Sequence, residues 1–96
     1  MRATLSYAAA TVLHAIQQGR RYGFEIMDAT GMPSGTVYPA LRKLEKAGLI
    51  EAQWEREEQA RAERRPARRY YQVTSEGEAA LTAAGTRYRF PELARP

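Results

Sequence analysis

The sequence has no cysteine and only one histidine, His14. Disulfide staples and thiolate metal sites are thereby excluded, and one imidazole cannot form a metal site on its own, so neither metal nor cofactor is expected. Long apolar runs are missing too. The opening stretch MRATLSYAAATVLHAIQQG shares with a signal peptide only an arginine and some apolar content, and Thr11, His14 and two glutamines interrupt it. Nothing reaches the length of a membrane span, and the expectation is a cytoplasmic chain without a membrane partner. Catalytic groupings are equally scarce. No serine, aspartate or second histidine stands in a triad motif with His14, which falls near the edge of an apolar helical face and reads as a packing or interface residue. An enzyme is not expected. There is no internal repeat and no linker long enough to divide the chain.

What is present is a short chain with unevenly placed charge. At 96 residues it is sized for one domain, residues 1–96, below the length at which a single core gives comfortable stability, so association with a second copy is expected. The net charge is +4. Between Arg61 and Arg69 stand five arginines (Arg61, Arg64, Arg65, Arg68 and Arg69) against one acid, Glu63, a local surplus equal to that of the whole chain. The run Glu55 to Glu58 just before it is acidic, so the signs are segregated along this segment.

Apolar periodicity divides the rest into elements. Leu5, Ala8, Ala9, Val12, Leu13 and Ile16 follow the spacing of one helix face, closed by Gly19. Tyr22 to Ala29 is a shorter helix ending at Gly31, followed by the turn residues MPSG. A third helix starts with Ser34 as cap and ends at Gly48. At about 100° per residue, Val37, Ala40, Leu41 and Leu44 share its inner face. Gly35, Pro39, Arg42 and Lys46 lie opposite, with Thr36 and Lys43 on one flank and Tyr38 on the other. A proline near the helix start removes at most one intrahelical hydrogen bond, and its ring points away from the core. Such a compromise on an exposed basic face is more easily explained if that face meets something.

Beyond Leu49 the period changes to two. Ile50, Ala52 and Trp54 alternate with Glu51, Gln53 and Glu55, and Tyr71 and Val73 alternate with Tyr70 and Gln72, giving two strands. Arg56 to Ala67 between them is a polar tip whose composition also suits a frayed helical turn. The wing formed by strands and tip spans about 50–74. A last helix over about 75–88 is marked by a capping box, Ser75 with Glu78, and an apolar line through Gly77, Leu81, Ala84 and Tyr88. The closing RFPELARP reads as loose.

The order α-α-α-β-β-α, mainly helical with one two-stranded hairpin, is that of a winged helix-turn-helix. In that arrangement the third helix enters the major groove and the hairpin lies along the backbone beside it. Three blocks, YGFEI, GTVYPALRKLEKAGLI and RYYQVTSEG, occur in order and at family spacing over about residues 5 to 84. Together they resemble the PadR family, the phenolic-acid-decarboxylase-repressor-like bacterial transcription regulators. The resemblance implies that a proline after tyrosine on the recognition helix is a family feature. Two departures stand out: many members carry a further C-terminal helical region for dimerisation, where little remains here after Tyr88, and the wing tip is long and lacks the glycines often seen there.

These readings give an expected function: a homodimeric, sequence-specific regulator of transcription, a repressor on double-stranded DNA. On the recognition helix Arg42, Thr36 and Lys43 are candidates for base edges, Tyr38 and Ser34 for phosphates, and Pro39 for the DNA-facing surface. Each has a plainer alternative. The cations can form a solvated helix face, Tyr38 can pack on the second helix, and Ser34 and Thr36 can cap. On the wing, Arg61, Arg64, Arg65 and Arg68 are candidates for phosphate or minor-groove contact, or can pair with Glu55, Glu57 and Glu58. Trp54 reads first as core at the base of the wing and second as a contact for a small-molecule effector at the dimer interface. The first helix is apolar or small almost all round, which suggests a dimer through Leu5, Ala9, Val12, Leu81 and Tyr88 on a pseudo-palindromic operator. The competing reading is a winged-helix protein-interaction module without specific DNA binding.

Overall fold

The computed structural model describes residues 4–94. Its elements run α1 (Tyr7–Gln17), α2 (Gly23–Thr30), α3 (Ser34–Lys46), β1 (Ile50–Trp54), α4 (Glu57–Ala62), β2 (Arg69–Val73) and α5 (Ser75–Ala84). This is the expected winged helix-turn-helix order, with one added helix, α4, in the wing tip.

Helix α1 lies at the centre. Ser6 caps it, its hydroxyl accepting from the Ala9 amide at 3.1 Å, and Ala9, Ala10, Thr11, Val12, Leu13, Ala15 and Ile16 are all buried. A helix that is apolar on every side must be enclosed on every side. Here α2, α3, β2 and α5 all pack on it. Thr11 fits because its hydroxyl donates to the Tyr7 carbonyl at 2.7 Å. The residues expected at a dimer interface are therefore placed differently: Ala9, Val12 and Leu81 belong to the core of the single chain. Leu5 and Tyr88 are half-buried, and the Tyr88 hydroxyl donates to the Leu5 carbonyl at 2.9 Å.

The tail also contributes to this enclosure. Phe90 stacks on His14 with ring centroids 4.7 Å apart, the Ala94 amide donates to the Ala29 carbonyl, and Arg20 holds the Ala94 carbonyl at 2.7 Å. Segment 89–94 is thus docked against α1 and α2 and not loose; Arg95 and Pro96 lie outside the described residues. Burial lowers the pKa of His14, which keeps the ring neutral, as a packing histidine should be.

Helices α2 and α3 are joined by Gly31, at φ 75, whose amide closes α2 on the Met27 carbonyl. The cap of α3 is Pro33, one residue earlier than Ser34: its carbonyl accepts from the Thr36 and Val37 amides, both at 3.0 Å. Ser34 is the first helical residue. Pro39 therefore lies in the second turn, where it removes the bond to the Gly35 carbonyl. Gly35 has open space beside it, so its carbonyl is free to meet solvent or a ligand. Val37, Ala40, Leu41 and Leu44 are buried, as their spacing indicates.

Strands β1 and β2 pair antiparallel, with Ile50 opposite Val73 and Trp54 opposite Arg69. The core extends only to the Ala52–Tyr71 pair. Trp54, on the same face, projects past the helical body and is 61% exposed, so it is not core at the base of the wing. Helix α5 is capped by Thr74 and not by Ser75: the Thr74 hydroxyl accepts from the Gly77 amide at 3.0 Å and donates to the Gly48 carbonyl at 2.8 Å. Gly77 is needed there, because a Cβ would collide with the Leu49 carbonyl and approach Val73. The helix stops at Ala84, so Tyr88 follows it instead of closing it. Among the described residues no helix is long and apolar enough to cross a membrane.

Candidate nucleic-acid interface

With its inner face committed to the core, α3 presents Ser34, Gly35, Tyr38, Arg42, Lys43 and Lys46 to solvent, with Thr36 and Pro39 half-buried beside them. Arg42, Lys43 and Lys46 form no ion pair among the described residues. A row of unneutralised cations on one exposed helix face is the footprint of a polyanion site. Lys43 and Lys46 also stand in the last turn, where the helix dipole favours positive charge, so their placement serves the helix as well.

Tyr38 satisfies both readings of its role at once. Its ring lies against the first residue of α2, and a Cβ on Gly23 would overlap the phenol. Glycine at that position is what lets the ring close down between the two helices. The outer edge of the side chain stays exposed beside Arg42.

In the wing the candidate arginines separate into distinct roles. Arg65 is engaged within the protein: its Nη1 and Nη2 donate to the two Glu55 oxygens at 2.6 and 2.8 Å, and Nη2 reaches Glu63 at 3.2 Å. Its side chain is 18% exposed and that of Glu55 6%. Arg65 is thus a clamp closing the tip and is not a free phosphate contact. Glu55 also accepts from the Arg68 amide and the Tyr70 hydroxyl. The Arg65 hydrogen bond foremost, then the Arg68 amide, the Arg65 charge and Tyr70, hold the Glu55 carboxyl down at about 2 against burial. Glu63 is lowered too, first by Gln59 and then by the charge of Arg65. The clamp explains how a six-residue helix, too short to persist alone, stays folded over the hairpin end.

The other arginines are more available. Arg64 is exposed, at φ 55, with no ion pair among the described residues. Arg61 shares an exposed i,i+4 contact with Glu57 at 3.6 Å, which water screens to little effect. Arg68 lies over the Tyr22 ring at 4.2 Å, carrying no carboxylate partner of its own. Arg69 bridges wing to recognition helix, donating to Glu45 at 2.9 Å while covering Trp54 at 5.3 Å. Sequence reasoning assigned no role to Arg69 or to Phe24. Arg69 offered a signal in the register, since it faces Trp54 across the hairpin; Phe24, at 68% exposure, offered none.

Between α2, α3 and the wing these side chains enclose a cleft of about 550 Å³, whose walls include Phe24, Tyr38, Trp54, Arg68 and Arg69. The second helix, the recognition helix and the wing therefore meet in one concave, aromatic and cationic surface. Among the described residues no group of three or more His, Asp or Glu side chains could hold a metal ion.

Comparison with known proteins places this arrangement. The structure is similar to a PadR family transcription regulator from hypervirulent Clostridium difficile R20291, at TM-score 0.74 and 25% identity, covering 88% of each chain. It is similar to a Streptococcus transcriptional regulator at TM-score 0.64 and 28% identity, over 82% of this chain and 78% of that one. The Bordetella bronchiseptica regulator BpsR, described in terms of regulation of its DNA binding by 6-hydroxynicotinic acid, shares the fold at TM-score 0.69 and 20% identity, over 86% of this chain and 58% of that one. No curated protein matches the chain. Residues 12–83 match the model of the transcriptional regulator PadR-like family. That span takes in the buried α1, the helix-turn-helix with its free cations, the wing and most of α5, and the chain belongs to the PadR-like family of transcriptional regulators.

Proposed function

We propose that the whole chain acts as one winged-helix domain that binds a pseudo-palindromic operator as a homodimer and represses transcription by covering promoter DNA. The observation that carries the reading is the outer face of α3, where Arg42, Lys43 and Lys46 stand exposed and unpaired while the opposite face is fully buried. In this reading Arg42, Thr36 and Lys43 meet base edges, Ser34 and Tyr38 fix the helix on phosphates, and Pro39 lies on the DNA side. Arg64, Arg68 and the weakly paired Arg61 add affinity that does not depend on sequence.

Dimerisation would use what the core leaves free around α1 and α5: Leu5, the exposed Tyr7, and the small outer side chains Ala79 and Ala83. Leu5, Ala47, Leu49 and Ala80 line an adjoining groove that could receive part of a second copy. The test is selection from a random-sequence duplex pool followed by sequencing. An enriched motif with two-fold symmetry is expected; recovery of no motif at low salt would refute specific DNA binding and favour a protein-interaction module.

A further inference from the structure

The two most exposed large apolar side chains of the described residues, Phe24 at 68% and Trp54 at 61%, come from α2 and from the end of β1, yet both line the same cleft. Exposed aromatic rings gathered from separate elements around one cavity mark a binding site more often than chance exposure does. The cleft volume of about 550 Å³ lies within the range of small-molecule sites.

Its electrostatics narrow the ligand. Three guanidinium groups line the cleft, those of Arg65, Arg68 and Arg69. Glu55 neutralises Arg65 and Glu45 neutralises Arg69. Arg68 has no carboxylate partner among the described residues and rests on the face of Tyr22. One uncompensated cation calls for one negative charge. In addition, Arg65 Nε is buried without an acceptor, a donor that an oxygen in the cleft would satisfy.

The geometry points to a regulatory site for a planar aromatic monocarboxylate, its ring lying among Trp54, Phe24 and Tyr38 and its carboxylate directed to Arg68. Occupancy would engage Arg68 and abut Tyr38, both of which face DNA in the reading above, so the ligand weakens DNA binding. The binding site stands on the cleft alone; its effect on DNA rests on the proposed function.

Trp54 is the only tryptophan of the chain, so its indole N–H gives a single amide-region signal in a nitrogen-15 correlation spectrum. The full chain is titrated with benzoate, and with benzamide, cyclohexanecarboxylate and adenosine monophosphate as comparisons. A saturable shift of the indole signal with benzoate is expected. Benzamide, lacking the charge, should bind about tenfold or more weakly, and cyclohexanecarboxylate, lacking the flat ring, several-fold more weakly. Phe24→Ala and Arg68→Gln should each weaken benzoate by a similar margin; both side chains are outside the core, and the comparisons on the unmodified chain test the site without any substitution. No saturable shift, equal binding of cyclohexanecarboxylate, or tighter binding of adenosine monophosphate would overturn the assignment. Saturating benzoate should also lower the affinity of the unmodified chain for its selected operator and leave that of Phe24→Ala unchanged; unaltered operator affinity in the presence of bound benzoate would overturn the regulatory effect. A chain that binds benzoate but selects no operator would refute the proposed function and uphold the site.

Discussion

Gly23→Ala should damage the helix-turn-helix through a single ring. Gly23 opens α2 and does not adopt a left-handed conformation, so alanine costs nothing in backbone strain. The added methyl, however, falls within the Tyr38 phenol. Over-packing of this kind costs about 1 to 3 kcal/mol, because the ring must leave its rotamer or the helices must part. With Tyr38→Ala the obstacle is gone, and the same Gly23→Ala change should be neutral or stabilise α2 by up to about 1 kcal/mol, alanine being the better helix former. The coupling between the two substitutions is therefore about 2 kcal/mol and favours the double variant. Urea denaturation of the four proteins, followed by circular dichroism, measures it. If Gly23→Ala lowers stability equally in both backgrounds, the contact is not what fixes the angle between α2 and α3, and the reasoning fails.

Two further predictions follow from packing and charge. Gly77→Ala should destabilise the fold by about 1 to 3 kcal/mol or more, since the methyl would press on the Leu49 carbonyl, which cannot move without disturbing the start of β1; a denaturation midpoint unchanged from that of the unmodified chain would contradict this. Glu55 titrates near 2 when the wing is closed and near 4.5 when it is open, so the clamp contributes fully above about pH 4.5 and loses its contribution as pH falls toward 2. The indole signal of Trp54 should report the tip opening across that window in the unmodified chain and not in Glu55→Gln; an acid transition identical in both would assign it to other carboxyls.

Much of this architecture is legible in the sequence because period and face are set by local rules. The spacing of Val37, Ala40, Leu41 and Leu44 fixes which side of α3 enters the core, and the alternation of β1 fixes Ile50 inward. What remained illegible depends on neighbours. Ser34 and Ser75 are good caps by type, but Pro33 and Thr74 take the position, Thr74 because it can also reach the Gly48 carbonyl. The all-round apolar character of α1 is compatible with an interface or with a central helix, and only the docking of β2, α5 and the tail decides for the centre. Alternation places Trp54 on the inner face without revealing that the core ends one pair earlier. The arginine count of the tip likewise conceals that Arg65 closes on Glu55 while Arg64 has no ionic partner among the described residues.

The central claim is that α3 reads DNA and the wing holds it, and the ratio of operator to scrambled affinity across a salt series tests this most directly. For Arg42→Ala the account predicts a loss of about 1 to 3 kcal/mol per contact on the operator, with relaxed preference at one base position in each half-site. For Arg64→Gln it predicts equal weakening on both duplexes and a salt slope reduced by about 1 per contact. If Arg42→Ala leaves the ratio unchanged while Arg64→Gln collapses it, the wing is the reader and the account is contradicted.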